Sequence, residues 1–204
     1  MDFKKSKQCL HKHYWEKKYT EEKVVWDIGT VSKPIADYIN SLQNKNLKIL
    51  IPGAGNAYEA DFLVEKGFNN VFVLDFAENP LKNFKNRNVE FPEEHVIQQD
   101  FFEHTQTYDI IIEHVFFCAL HPALRKKYVE KMYELLNPSG LLIGVLFDFE
   151  LSEEGPPYGG SIEEYTNLFS EKFHIKKLEK CYNSIKPRFG RELFFIFEKK
   201  YEYG

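Results

Sequence analysis

"LKILIPGAGNAYEADFLVEKGFNNVFVLDF", residues 47–76, is the stretch that decides the fold. "LKILI" is an apolar run of strand length, and "PGAGNA" is a glycine turn. "AYEADFLVEKG" puts Ala60, Leu63 and Val64 on one helical face and stops at Gly67. "NVFVLDF" is a second buried strand that closes on Asp75. Strand, glycine turn, helix and strand form a βαβ unit with two parallel strands. The dinucleotide fingerprint is only partly present: Gly53 and Gly55 stand in place, but Tyr58 occupies the third glycine position.

The same alternation continues outward. Residues 1–46 precede the first strand and read as helical, with Pro34 near the start of "PIADYINSL". Beyond the opening unit, "EHVIQQDFF" (94–102) holds a short third strand. "YDIIIEHVFF" (108–117) is a fourth, apolar on both faces as a central parallel strand must be. Pro122 opens a helix whose stripe is Leu124, Tyr128, Met132, Leu135 and Leu136, and "NPSG" (137–140) is expected to end it. "LLIGVLFDF" gives a fifth strand, "SIEEYTNLFSEKF" (161–173) a last helix and "RELFFIFEKK" (191–200) a final strand. There is no internal repeat, low-complexity tract or linker. The expectation is one α/β domain over 1–204: a helical lid or cap at 1–46 and a doubly wound, mostly parallel core at 47–204.

Composition excludes several classes. At 204 residues, with 43% apolar and 28% charged, the chain suits a single hydrophobic core. A net charge of −4 supplies no basic field for gripping phosphates, so no nucleic-acid partner is expected. Lys4, Lys5 and Lys7 have no apolar stretch behind them, which argues against a secretory signal. No run reaches membrane-spanning length, so a cytoplasmic protein without a membrane partner is expected. Cys9, Cys118 and Cys181 fit no metal or redox spacing, and His11 and His13 lack further ligands, so no metal is expected.

In parallel sheets ligands bind beyond the carboxyl ends of the strands. At the first end, Gly53 and Gly55 let the backbone pass close under a ligand. Glu59 and Asp61 in the next helical turn suit the helix dipole but oppose a pyrophosphate at the same place. S-adenosylmethionine, which has no phosphate and a sulfonium and an ammonium against one carboxylate, tolerates such a turn. At the second end, Asp75 can accept from both ribose hydroxyls through charge-assisted bonds worth ~1.5–3 kcal/mol. At the third, Asp100 can accept from an adenine amino group, with Phe101 beside it. Three successive strand ends therefore describe an adenosine.

After the fourth strand, His114 reads as a base, a cosubstrate contact or a satisfied buried histidine. Phe116 and Phe117 are candidates for the substrate pocket, although such residues also build cores. "EGPPYGG" (154–160) is a stiff loop that can lay the Tyr158 ring over a pocket. It does not have the [DN]PPY placement of amino-methyltransferases, which follows the fourth strand and begins with Asn or Asp. Ahead of the sheet, Trp15, Tyr19 and Trp26 interrupt a polar stretch; they either pack beneath the sheet or form a lid over the cosubstrate.

Read in order, "WEKKYTEEKVVWDIG", "IPGAGNAYEADFL", "VLDF", "DFF", "YDIIIEHVFFCAL", "LNPSG" and "GPPY" resemble the thiopurine S-methyltransferase superfamily, over roughly residues 14–170. The nearest branch is similar to the thiol, thiocyanate and halide methyltransferases of the plant "harmless to ozone layer" type. The resemblance implies a class I, Rossmann-like S-adenosylmethionine methyltransferase with a seven-stranded sheet and a helical N-terminal lid. It places Trp15, Tyr19 and Trp26 on the lid aromatics, Gly53 on the glycine turn and Asp75 on the ribose acid. Asp100 and Phe101 fall on the adenine contacts and His114 on a further cosubstrate position. Three departures stand out: Tyr19 replaces a tryptophan, Glu113-His114 replaces Asp-Tyr, and the stretch before GPPY is unusually acidic.

The expected function is methyl transfer from S-adenosylmethionine to a small soft nucleophile, first of all a thiol, with thiopurine, thiocyanate and halide as related acceptors. S-adenosylhomocysteine is then the product, and a monomer is expected. The rivals are a non-catalytic S-adenosylmethionine-binding module and a dinucleotide-dependent reductase.

Overall fold

The computed structural model describes residues 12–151 and 155–201. Cys9, His11, the lysines at 4, 5 and 7, and Glu154 lie outside these residues. Two helices come first, α1 (Lys12–Thr20) and α2 (Lys33–Ser41). The core then runs β1 (Ile49–Pro52), α3 (Tyr58–Glu65), β2 (Val71–Asp75), α4 (Glu78–Arg87), β3 (Val96–Gln98) and β4 (Tyr108–His114). It continues with α5 (Arg125–Glu134), β5 (Leu136–Phe147), α6 (Ile162–Phe169), β6 (Phe173–Lys180) and β7 (Glu192–Lys199).

The seven strands form one sheet in the order β3-β2-β1-β4-β5-β7-β6. The first five are parallel neighbours, and β7 runs antiparallel to both β5 and β6. The dinucleotide-binding order 3-2-1-4-5-6 has no such reversed strand. Sequential βαβ crossovers place helices on both faces, and side-chain alternation along each strand divides the core in two. Ile49 and Ile51 of β1 join Val71 and Val73 of β2 under α2, α3 and α4, with Ile35, Leu63 and Phe84 as their helical partners. Leu50 of the same strand points the other way, into the cluster of Tyr128, Met132, Tyr165 and Phe169 on α5 and α6.

Four local readings need correction. Residues 77–93 carried no assignment from the pattern, and α4 lies there. "NPSG" does not merely end a helix; it lies inside β5. Leu136 pairs with Tyr108, the ladder resumes at Leu141 opposite Ile110, and Ser139 adopts a left-handed φ of 59° within the bulge. The last helix stops at Phe169, and Phe173 already begins β6. Of the stripe after Pro122, Leu124 turns toward the cavity described below, while Tyr128, Met132 and Leu135 are buried in the core. No described helix is long and apolar enough to cross a membrane.

Candidate active site

A cavity of about 450 Å³ opens at the carboxyl ends of β1, β2, β4 and β5, beneath the segment that carries α1. Gly53 and Gly55 line its floor with positive φ of 57° and 52°. A Cβ built on Gly53 would lie 2.3 Å from the Phe116 ring, and one on Gly55 would lie 2.7 Å from the Tyr19 hydroxyl. Both the backbone conformation and the close approach therefore require glycine.

Asp75 closes β2 with its carboxylate on the same floor. It accepts from the backbone N–H of Gly55 at 2.9 Å and of Ala77 at 2.8 Å, and it is buried. Burial pushes its pKa up to about 6, against the pull of the N–H groups of Ala77, Gly55 and Phe76. Asp100 accepts from the N–H of Phe102 at 2.8 Å, which turns Phe101 inward against Phe116 at 5.1 Å between ring centroids. Asp75, Asp100 and Phe101 all border the cavity.

Trp15, Tyr19 and Trp26 form its roof. Trp26 meets Trp15 edge-on at 5.2 Å and Tyr19 at 5.9 Å. Two acids missed by sequence reasoning fix this roof. Glu16 accepts from the backbone N–H of Glu78 and Asn79, capping α4 from another element, with Asn79 also bonded to Thr20 at 3.2 Å. Asp27 accepts from Gly29 N–H at 2.7 Å and from the Asn56 amide, tying the roof to the glycine turn. Burial, then the nearby Asp75, raise the Tyr19 pKa, so its hydroxyl stays protonated over the turn.

His114 ends β4 with its ring among charges. Its Nδ1 is 2.9 Å from Glu59 Oε1 on α3, and its Nε2 is 3.1 Å from Arg188 Nη1. Burial lowers the imidazole pKa, but the Glu59 carboxylate outweighs it through charge and hydrogen bond, and the net shift is upward, with Arg188 opposing. A guanidinium donates only to a neutral ring, so Arg188 takes the Nε2 lone pair when His114 is neutral. When the ring is protonated there is no lone pair. As the ring stands, both nitrogens are engaged, Nδ1 by Glu59 and Nε2 by Arg188. Glu59 and Asp61 are themselves partnered, Asp61 by Arg87 at 2.9 Å. The acidic helix start is thus not a bare repulsive patch; the reversed β7, rather than these acids, separates this fold from a dinucleotide site.

The substrate-pocket residues divide. Phe116 borders the cavity, but Phe117 does not. Phe117 packs in the core against Tyr128 at 5.0 Å and Tyr165 at 5.8 Å, because the buried Glu113 accepts from the N–H groups of both phenylalanines and turns the second ring inward. The Tyr158 ring also lies away from the cavity wall; its N–H donates to the Cys118 carbonyl at 2.8 Å, and Pro156 and Pro157 border the cavity instead. Cys118, Phe147, Phe149, His121, Arg188 and Arg191 line the same end, and sequence reasoning singled out neither arginine. Among the described residues no group of three or more His, Cys, Asp or Glu is placed to hold a metal ion.

The family model described as thiopurine S-methyltransferase matches residues 10–203. The chain belongs to the thiopurine S-methyltransferase family. A probable thiol methyltransferase 2 of Arabidopsis thaliana is 29% identical over 159 residues, 76% of this chain and 70% of that protein. Thiocyanate methyltransferase 1 of the same plant is 28% identical, covering 87% and 81%. A thiopurine S-methyltransferase of Acinetobacter baylyi is 24% identical, covering 83% and 88%. Among solved structures, a Burkholderia thailandensis 1,6-didemethyltoxoflavin-N1-methyltransferase with bound S-adenosylhomocysteine superposes with a TM-score of 0.77 at 16% identity, over 93% of this chain and 87% of that one. The fold is that of S-adenosylmethionine-dependent methyltransferases, and this thiopurine S-methyltransferase family member uses S-adenosylmethionine as its methyl donor.

Proposed function

We propose that the chain methylates a small soft nucleophile, first of all a thiol taken as its thiolate, with Gly53, Gly55, Asp75, Asp100 and Phe101 holding the donor's adenosine and Trp15, Tyr19 and Trp26 covering it. S-adenosylmethionine supplies a methyl group on a sulfonium, open to displacement in line by an anion. Thiol, thiocyanate and thiopurine appear in the names of the relatives, and all present a soft sulfur.

The observation that carries this reading is the setting of His114. Its two nitrogens are committed to Glu59 and Arg188, so it orients the end of β4 and does not deprotonate an acceptor. Arg191 brings positive charge to the same end of the cavity, where Arg188 is already paired with Glu192, and Phe147, Phe149, Pro156 and Pro157 give that end apolar walls. Such surroundings favour a nucleophile that arrives already ionised. Positioning and partial desolvation can then supply up to roughly 7–11 kcal/mol of the barrier.

Turnover of a series of thiols of graded acidity tests this. The pH midpoint is expected to follow each thiol's own pKa, and to do so unchanged in His114→Gln and His121→Gln, since His121 is the other imidazole lining the cavity. A midpoint that stays fixed across the series and vanishes in either variant would establish a protein base and refute the proposal.

A further inference from the structure

Arg188 lies in the short turn before β7, and besides the nearby Glu192 its hydrogen-bond partners are far away in sequence. Its side chain is 11% exposed and faces the cavity. One terminal nitrogen, Nη2, donates to the Trp26 carbonyl at 2.6 Å. The other, Nη1, lies 3.1 Å from His114 Nε2 and 3.3 Å from Glu192 Oε1. The guanidinium carbon is also 5.7 Å from the Phe147 ring centroid. Behind His114, Glu59 Oε1 receives both Nδ1 and the backbone N–H of Ser32, at 3.3 Å, so the chain of contacts is anchored on α3 and at the start of α2.

We propose that Arg188 is the positioning residue that docks the lid: its planar fork spans the Trp26 backbone on one side and the ends of β4 and β7 on the other. The segment it grips carries the aromatic ring that meets both Trp15 and Tyr19. Holding that carbonyl therefore sets where all three roof rings stand over the cosubstrate. The link is strong because a half-buried carbonyl, a half-buried imidazole and the buried Glu192 carboxylate each lose a partner if the guanidinium leaves. Lysine cannot replace it. A single ammonium has the charge but not two nitrogens fixed in one plane, so it can reach Trp26 or the His114–Glu192 pair, not both.

The inference rests on reading the cavity as the cosubstrate site, and the test separates the two. Hydrogen exchange is followed across residues 14–28, with and without S-adenosylhomocysteine, in the wild type, Arg188→Lys and Arg188→Gln. Kinetics give KM for S-adenosylmethionine and kcat separately. In the wild type, S-adenosylhomocysteine is expected to slow exchange in this stretch. Arg188→Lys is expected to lose most of that protection and to raise KM for S-adenosylmethionine about tenfold, with exchange in the body of β4 and β5 unchanged. Arg188→Gln should do the same, and if it does not fold, Arg188→Lys carries the test alone. Wild-type lid protection and KM in Arg188→Lys would overturn the proposal. So would an even loss of protection through β4 and β5, which would mark the arginine as merely structural. Failure of the wild type to bind S-adenosylhomocysteine at all would instead overturn the cosubstrate reading itself.

Discussion

If Asp75 holds the ribose as proposed, cosubstrate affinity should depend on pH in a way that can be worked out from the carboxylate's surroundings. In the free protein its carboxylate is buried, and its pKa is pushed up to about 6 from the ordinary 3.8. By itself this raised pKa means that the group's contribution to folding stability is present below pH 3.8 and is lost as pH rises through about 6. Binding has the opposite sign. In the proposed complex ribose hydroxyls donate to the ionised carboxylate, so the bound form would hold its proton less tightly than the free form. Lowering the pH from 7.5 to 5 leaves roughly ten of every eleven free molecules protonated, which weakens S-adenosylhomocysteine binding about tenfold, or about 1.4 kcal/mol. The nucleoside ligand has no group that titrates in this window. Calorimetric titrations at half-unit steps between pH 5 and 7.5 would show affinity rising and levelling off just above 6. Asp75→Asn should bind weakly and with a flat profile. An affinity constant across the range in the wild type, or a slope that survives in Asp75→Asn, would refute the assignment of the ribose contact to this carboxylate.

Two further substitutions probe the architecture around the floor. Gly53→Ala places a methyl group 2.3 Å from the Phe116 ring on a backbone with φ of 57°. It should cost roughly 1–2 kcal/mol in melting experiments and reduce S-adenosylhomocysteine affinity as Phe116 is displaced; unchanged affinity would show that the turn does not approach the ligand. Glu113→Ala leaves the N–H groups of Phe116 and Phe117 and the Tyr128 hydroxyl without their acceptor. At ~1–3 kcal/mol for each buried group left unpaired, denaturant unfolding should show a loss of at least about 3 kcal/mol, and a loss under about 1 kcal/mol would mean that the loop finds other partners.

The order of strands from β1 to β5, with α3 and α5 between them, was legible in the chain because those elements carry their own periodicity, apolar runs for the strands and a one-sided stripe for each of the two helices; α4 was not read. Gly53, Gly55, Asp75 and Asp100 were legible for a related reason. Each sits directly at a strand end, and in a parallel sheet the strand ends converge. What escaped lacks a local signal. β6 is a Lys-rich edge strand whose alternation is only half buried, and its place is fixed by pairing with β7, which no local pattern records. The inward turn of Phe117 depends on the Glu113 carboxylate, and two adjacent phenylalanines look alike in sequence whichever one faces the core. Arg188 is the clearest case. It is a cation in a short turn, with no stripe or spacing to mark it, and its partners His114 and Trp26 lie 74 and 162 residues away. Local preferences determine which segments become strands and helices, but only chain closure in three dimensions brings a guanidinium, an imidazole and a lid carbonyl within hydrogen-bonding reach.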